Sequence, residues 1–324
     1  MPNDQNKQQI LLLAKLAEDL KIELDADVKE IVDKVKPLTT APSKGVKYAI
    51  MSDIHANIQA FQAVMEDVRK QGVKNIIFLG DLIGYGGNPN ECVELMINSR
   101  PFVWIRGNHD QAVVLAPYGF TFYAATSINW TKTVLESKYF VVLEQLPLKD
   151  TIKESNSSIV FTHGCPGSND DNIDTYIDIK VRRSAYLPNY AFERMEEKQL
   201  AFIGHIHEPF ISILKKDKQE DFNENKLPES LSLDFNQEEI NKVLINVGSV
   251  GQPRGSDRRA CYVIFTEYGN NIYDISFRRV SYDIKDAQKA IKKYWKEYCQ
   301  KEADEGNEDF KEHINDFYLA DRLG

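Results

Sequence analysis

From residue 46 onward, short apolar runs of strand length alternate with stretches whose apolar residues return every three to four positions. "VKYAIMS" reads as a buried strand, "NIQAFQAVMEDVRKQG" as a helix capped by Asn57, "NIIFLG" as a strand, "PNECVELMINS" as a helix opened by Pro89, and "FVWIRG" as a strand. That order predicts a βαβαβ unit with parallel strands and right-handed crossovers. Further strands are expected at "SSIVFTHG", "QLAFIGHIH", "KVLINVGS", "ACYVIFTE" and "IYDISFRRV", the last two joined by a Gly-Asn turn at 269 and 270. "IKDAQKAIKKYWKEYC" places Ala287, Ile291, Tyr294, Trp295 and Tyr298 on one stripe, the pattern of a helix that docks on a core. Residues 1–44 hold two amphipathic patterns, "NKQQILLLAKLAEDL" and "DADVKEIVDKVKPL", and end in the breaker stretch "TTAPSKG". The polar, acidic segment 215–242 predicts a long surface loop inserted between two strands. The expected organisation is an amino-terminal helical extension (1–44), a main domain (45–283) and a carboxy-terminal helical segment (284–324) packing on it.

A chain of 324 residues, 42% hydrophobic, can bury a sizeable core. Its net charge of -9 argues against a general nucleic-acid binder that neutralises phosphates. Cys92, Cys165, Cys261 and Cys299 show no C-x-x-C spacing, so neither a zinc knuckle nor a disulfide framework is expected, and reduced thiols suit the cytoplasm. "ILLLA" is too short to span a bilayer, and no small-residue cleavage site follows it, so neither a membrane protein nor a secreted one is expected.

Five of the six histidines fall in stretches of one design: a hydrophobic strand, then Gly, Asp, Asn or His at its carboxyl end. The stretches are "MSDIH", "LGDLIG", "RGNHD", "FTHG" and "IGHIH". In an open α/β sheet these ends line one crevice. In extended chain, residues two apart share a side, so Asp53 with His55, and His205 with His207, can aim at one point. Adding Asp81, Asn108 and His163 gives imidazole, carboxylate and amide donors suited to Mn, Fe, Co, Ni or Zn. Seven donors exceed one tetrahedral ion and suit two ions sharing a bridging carboxylate. Two dications against Asp53 and Asp81 leave about +2, a site that attracts phosphate, and such pairs activate water for in-line attack. His109 could protonate a leaving oxygen or stabilise the transition state, with Asp110 orienting its imidazole.

In order, D-x-H, G-D-x-x-G, G-N-H-D, T-H-G and G-H-x-H resemble the blocks of the calcineurin-like metallophosphoesterase family, over roughly residues 46–280. The resemblance implies a four-layer α/β/β/α sandwich of two mixed sheets, with the parallel unit confined to the amino-terminal half. It implies one metal held by Asp53, His55 and His207, a second by Asn108, His163 and His205, a bridging Asp81, and His109 as the catalytic histidine. "GDLIGYGGNPNE" and "NVGSVGQPRGSDRRACYVI" are similar to the prokaryotic compact phosphodiesterases and diadenosine polyphosphate hydrolases. Gly84 and Tyr85 stand where the protein phosphatases carry Asp and Arg, which removes one phosphate-holding arginine. Arg254 is a candidate substrate-binding residue, with a surface arginine paired to acidic loops as the alternative.

The expected function is a dinuclear phosphohydrolase in which metal-bound hydroxide attacks phosphorus, acting as a phosphodiesterase or pyrophosphohydrolase on a small nucleotide-like substrate, with Mn as the assay metal. The alternatives are a catalytically weak scaffold of the same fold that binds a protein partner, and a phosphomonoesterase or protein phosphatase. Plainer readings stand beside individual residues. Asp53 and His55 could end a strand and cap a helix, His109 could be a structural neighbour, and Asp110 could cap the next turn. Cys165 reads as a buried thiol and His313 as a solvated residue. The extension 1–44 could pack on its own domain, form a homodimer contact or recruit a partner, and the 215–242 segment could be disordered or cover the site.

Overall fold

The structure, a computed structural model, describes residues 45–153, 158–166, 187–195, 199–216, 218–236 and 239–323. Both helices expected within 1–44, and the homodimer contact assigned to them, lie outside the described residues.

The amino-terminal half follows its hydrophobic pattern. β1 (Val46–Met51), α1 (Ile58–Lys70), β2 (Asn75–Phe78), α2 (Pro89–Ser99) and β3 (Val103–Trp104) form a βαβαβ unit, with β1 to β2 and β2 to β3 parallel. Asn57 caps α1, its side chain accepting the Ala60 N–H at 3.0 Å, and also donates to the Gly251 carbonyl at 2.8 Å. Next come α3 (Asn108–Val114), α4 (Phe122–Val134), α5 (Ser137–Gln145), β4 (Lys149–Lys153), β5 (Ser158–Thr162), α6 (Leu187–Arg194) and β6 (Gln199–Ile203). β7 (Phe210–Lys215), β8 (Gln219–Phe222), β9 (Ser230–Asp234), β10 (Ile240–Asn246), β11 (Ala260–Glu267) and β12 (Ile272–Val280) precede α7 (Ile284–Asp304) and α8 (Tyr318–Asp321).

The strands make two mixed sheets, ordered β3-β2-β1-β11-β12-β9 and β4-β5-β6-β10-β7-β8. Parallel pairing is not confined to the amino-terminal half, because β5, β6 and β10 also run parallel. In β1, Tyr48 and Ile50 face the second sheet, while Ala49 and Met51 face the helices, so both sides of the strand are buried. Phe161, Phe202 and Phe265 fill the space between the sheets, with Phe202 stacked on Phe161 at 5.8 Å and edge-on to Phe265 at 5.1 Å. α1, α2 and α5 cover the outer face of the first sheet, and α6 covers the second, giving the expected four layers.

Two expectations are corrected. Residues 215–242 are not one long loop: β8 extends the second sheet and β9 the first. The short alternation in "LSLDF" sends Leu233 and Phe235 into the inter-sheet core, a signal too brief to stand out among acidic neighbours. Between these strands Glu224 accepts the Ser256 N–H at 2.8 Å and pairs with Arg279 at 2.6 Å. His313 is half-buried rather than solvated, its ring centroid 4.2 Å from that of Phe122 and its Nδ1 3.3 Å from Asp316. On α7 the buried stripe is Ala287, Ile291, Tyr294, Trp295, Cys299 and Ala303, with Tyr298 only half-buried beside it. This stripe packs on α8 and on Phe122, Tyr123 and Trp130 of α4.

Phe202→Ala is expected to lower stability by about 3–5 kcal/mol, because the rigid inter-sheet layer cannot close over the space vacated. Urea unfolding of the full chain followed by circular dichroism checks this, and a midpoint equal to wild type refutes it.

Candidate metal centre

The expected site residues leave the carboxyl ends of β1, β2, β3, β5 and β6, and they converge where the two sheets face each other. Extended backbone is not the reason for the convergence. Asp53, His55, Asp81, His205 and His207 all adopt left-handed backbone, with φ of 54°, 50°, 58°, 66° and 65°. Each such non-glycine residue costs about 1–3 kcal/mol and persists only where its surroundings enforce it. Here the turns brace one another: the Asp53 N–H donates to the Gly80 carbonyl at 3.0 Å, His55 N–H to the Asp81 carbonyl at 3.0 Å, and His205 N–H to Asp53 Oδ2 at 2.9 Å. Gly107 permits close approach of these turns, since a Cβ there would lie 2.1 Å from Asp81 Oδ1.

Three imidazoles have one nitrogen committed to a backbone carbonyl. Nδ1 of His55 faces Ile83 O at 3.2 Å, Nδ1 of His163 faces Leu79 O at 2.8 Å, and Nδ1 of His207 faces Gln252 O at 2.7 Å. A carbonyl only accepts, so the uncharged rings carry N–H there and turn the Nε2 lone pair inward. His55 Nε2 then lies 3.1 Å from His207 Nε2, and Asp53 Oδ1 lies 3.2 Å from His207 Nε2 and 3.8 Å from His55 Nε2. Around the second focus, His163 Nε2 is 3.2 Å from both Asp81 Oδ2 and Asn108 Oδ1, and His205 Nδ1 is 3.0 Å from Asn108 Oδ1. Asp81 Oδ2 also lies 3.7 Å from His55 Nε2, so it stands between the groups. All seven residues are buried.

Acceptors crowded at these distances in buried positions call for positive charge, a proton on His163 or bound cations. Nitrogen and oxygen donors without thiolate fit borderline divalent ions. The electrostatics agree. Burial raises Asp53, and burial together with the neighbouring His109 and His207 lowers His55. Burial would raise Asp81, yet His163, His109 and His55 outweigh it and hold the carboxyl well below its usual range. Burial opposes a charge on His163, but Asp81, Asp53 and the Leu79 carbonyl push it up to about 9. A bound dication would answer the same carboxylates and displace that proton.

His109 stands beside the two groups. Its backbone N–H donates to Asp81 Oδ1 at 2.8 Å, and its buried Nδ1 has no hydrogen-bond partner among the described residues. Its ring lies 4.7 Å from His55, 4.5 Å from Tyr85 and 5.1 Å from Phe120. Burial lowers its pKa to about 4 against the pull of Asp81. Asp110 does not orient this imidazole. Its carboxylate accepts the backbone N–H groups of Asp81 and Leu82 at 2.9 Å, Gly107 at 3.0 Å and Ile83 at 3.2 Å, tying α3 to the turn after β2. Arg254 is half-buried, and its charge acts on Asp53, His55, His109 and His207. It makes no ion pair among the described residues.

Sequence reasoning missed the supports of the turns. Asn246 donates to the Gly204 carbonyl at 2.7 Å, and the Ser249 hydroxyl donates to the Asp53 carbonyl at 2.8 Å. Their one signal was polar residues ending a hydrophobic run, "VLINVGS".

The profile of the calcineurin-like phosphoesterase superfamily domain matches residues 46–269, a span that holds every one of these groups. The chain belongs to that superfamily. Membership makes it a phosphoric ester hydrolase of the metallophosphoesterase kind. A Methanocaldococcus jannaschii protein, itself uncharacterized, is 37% identical over 248 residues, covering 76% of this chain and 91% of its own. A metallophosphoesterase structure from Sphaerobacter thermophilus matches at 29% identity and a TM-score of 0.58, covering 77% of this chain and 94% of that one. A hypothetical protein from Pyrococcus horikoshii shares the fold at 17% identity and a TM-score of 0.54, covering 76% and 92%. Among the described residues, no helix of this superfamily member is long and apolar enough to cross a membrane.

Asp81→Asn is expected to lower bound metal at both foci, read as a fall from about two manganese per chain by elemental analysis after loading and desalting. Because His163 keeps its proton up to about 9, manganese binding should release protons at neutral pH and tighten as the pH rises toward that value. Calorimetry in buffers of different ionisation enthalpy measures the release, and its absence would remove His163 from the coordinating set.

Proposed function

We propose that the protein is a dinuclear metal-dependent phosphohydrolase acting on a phosphodiester or pyrophosphate bond of a small nucleotide-like substrate. The observation that carries this reading is the pair of buried acceptor groups sharing Asp81 Oδ2, with Arg254 and His109 beside them. In this reading Asp53, His55 and His207 hold one ion, Asn108, His163 and His205 the other, and Asp81 bridges. Bound there, divalent ions supply Lewis acidity at the phosphoryl oxygens and a nucleophilic water at neutral pH.

The chain's own groups divide the remaining tasks. Arg254 offers a guanidinium to a phosphoryl oxygen. His109 is neutral at pH 7, since burial lowers its pKa to about 4. It offers an N–H hydrogen bond to an incoming phosphate and, keeping that proton, stabilises the negative charge that builds on the leaving oxygen. With Gly84 and Tyr85 at the second block, Arg254 faces the site without a second arginine from that turn, which suits a singly charged diester better than a dianionic monoester. The four cysteines, all buried free thiols, suit a reducing compartment such as the cytoplasm.

The test is hydrolysis of bis-p-nitrophenyl phosphate, p-nitrophenyl phosphate and diadenosine tetraphosphate in parallel by the manganese-loaded chain. Turnover of the diester or the tetraphosphate is expected to exceed that of the monoester, and His109→Ala should lower kcat by about 10²–10⁴ with metal content unchanged. Preference for the monoester, or two bound metals without turnover of any substrate, overturns the reading.

A further inference from the structure

His109 sits in the first turn of α3, yet among the described residues no polar group orients its ring: Asp110 is committed to backbone N–H groups, and Nδ1 has no hydrogen-bond partner there. Packing orients it instead. Gly84 lies so close that a Cβ there would be 2.4 Å from Nδ1, Tyr85 covers the ring at 4.5 Å, and Phe120 meets it edge-on at 5.1 Å and 83°. Tyr85 also contacts His55 edge-on at 4.8 Å, so one phenol ring touches both the imidazole beside the metal groups and one within them.

Tyr85 is itself held in left-handed backbone, with φ of 62°. Its carbonyl accepts the Tyr294 hydroxyl at 2.5 Å, and its N–H donates to Ser127 Oγ at 3.2 Å. Tyr294 belongs to α7, is 5% exposed, and stacks on Trp130 of α4 at 3.8 Å. One of the two segments that hold Tyr85, the helix α7 carrying Tyr294, therefore lies outside residues 46–269, the span matched by the superfamily profile.

We propose that Tyr85 is a positioning residue for His109, and that α7 holds it in place through the Tyr294 hydroxyl. The proposal rests on the role given to His109 above. Tyr85 and Phe120 together limit the imidazole to one orientation, and the bond from Tyr294 fixes the turn that carries Tyr85. α7 thereby becomes part of the catalytic apparatus without touching substrate.

The test uses the full chain with Tyr85→Ala, Tyr85→Phe and Tyr294→Phe. On bis-p-nitrophenyl phosphate with manganese, Tyr85→Ala should lower kcat about 10- to 100-fold, since small misplacements of a reacting group carry such losses, while KM and metal content stay near wild type. Tyr85→Phe should restore most of the rate, and Tyr294→Phe should lose several-fold, because it deletes only the hydroxyl. Independently of turnover, the zinc-loaded chain with labelled histidines should show a single narrow His109 ring signal, assigned by its loss in His109→Ala. That signal should broaden or double in Tyr85→Ala and Tyr294→Phe. An unchanged His109 signal in Tyr85→Ala overturns the proposal, as does a loss of rate that follows loss of metal. If wild type binds two metals and turns over nothing, the functional reading fails, while the ring signal still decides whether Tyr85 positions His109.

Discussion

The constraint on which this molecule turns is the burial of lone pairs against lone pairs. His55 Nε2, His207 Nε2 and Asp53 Oδ1 approach one another as acceptors, and at the second focus Asp81 Oδ2 and Asn108 Oδ1 crowd His163 Nε2, whose proton a bound cation would displace. The groups are buried, and one nitrogen of each of His55, His163 and His207 is spent on the carbonyls of Ile83, Leu79 and Gln252. Such an array is unfavourable unless positive charge enters it, so folding prepares a site whose stability is completed by binding. Two sheets are needed for this, because no single crevice edge could bring acceptors from both directions to foci that share Asp81.

The cost is distributed through backbone rather than side chains. Five candidate ligand residues in left-handed conformation, on three turns, amount to several kcal/mol of strain, which only a network of short hydrogen bonds can sustain. Asp110 is central to that network. One carboxylate collects N–H groups from the turn after β2 and from the start of α3, locking Asp81 and His109 into fixed relation. Ser249 and Asn246 do the same for the turns after β1 and β6. The residues holding the site together are polar, fully buried and silent in the chemistry.

Much of this was legible in the sequence, for unequal reasons. β1, α1, β2 and α2 announce themselves because hydrophobic period and capping agree over whole elements, and Asn57 and Pro89 mark their starts. The convergence of Asp53, His55, Asp81, Asn108, His163, His205 and His207 followed from their shared place at strand ends. The reason assigned to the D-x-H and H-x-H spacings was nonetheless mistaken: two left-handed residues flanking Ile54 aim the pair, and residue spacing does not reveal φ. Asp110 was misread because proximity in sequence to His109 suggested contact, whereas at the third position of a helix a carboxylate reaches back to the N-cap backbone. β9 escaped notice because two inward leucines in an acidic stretch make too short a period to stand out. His313 looked solvated since its neighbours are polar, yet the aromatic face it covers comes from α4, far away in sequence.

With Asp110 spent on backbone N–H groups, His109 is caged by rings and not paired with an acid. A carboxylate partner would favour imidazolium, and a permanent cation there would weaken any dication held by the neighbouring groups. Aromatic packing orients the ring without adding charge, and the same burial lowers its pKa to about 4. In the proposed reading Arg254 and bound ions would supply positive charge, while His109 stays a neutral hydrogen-bond donor. Gly84 follows from this arrangement, because any side chain there would occupy the space of the His109 ring. Tyr85, standing where the protein phosphatases place an arginine, exchanges a phosphate-binding charge for the face of that cage.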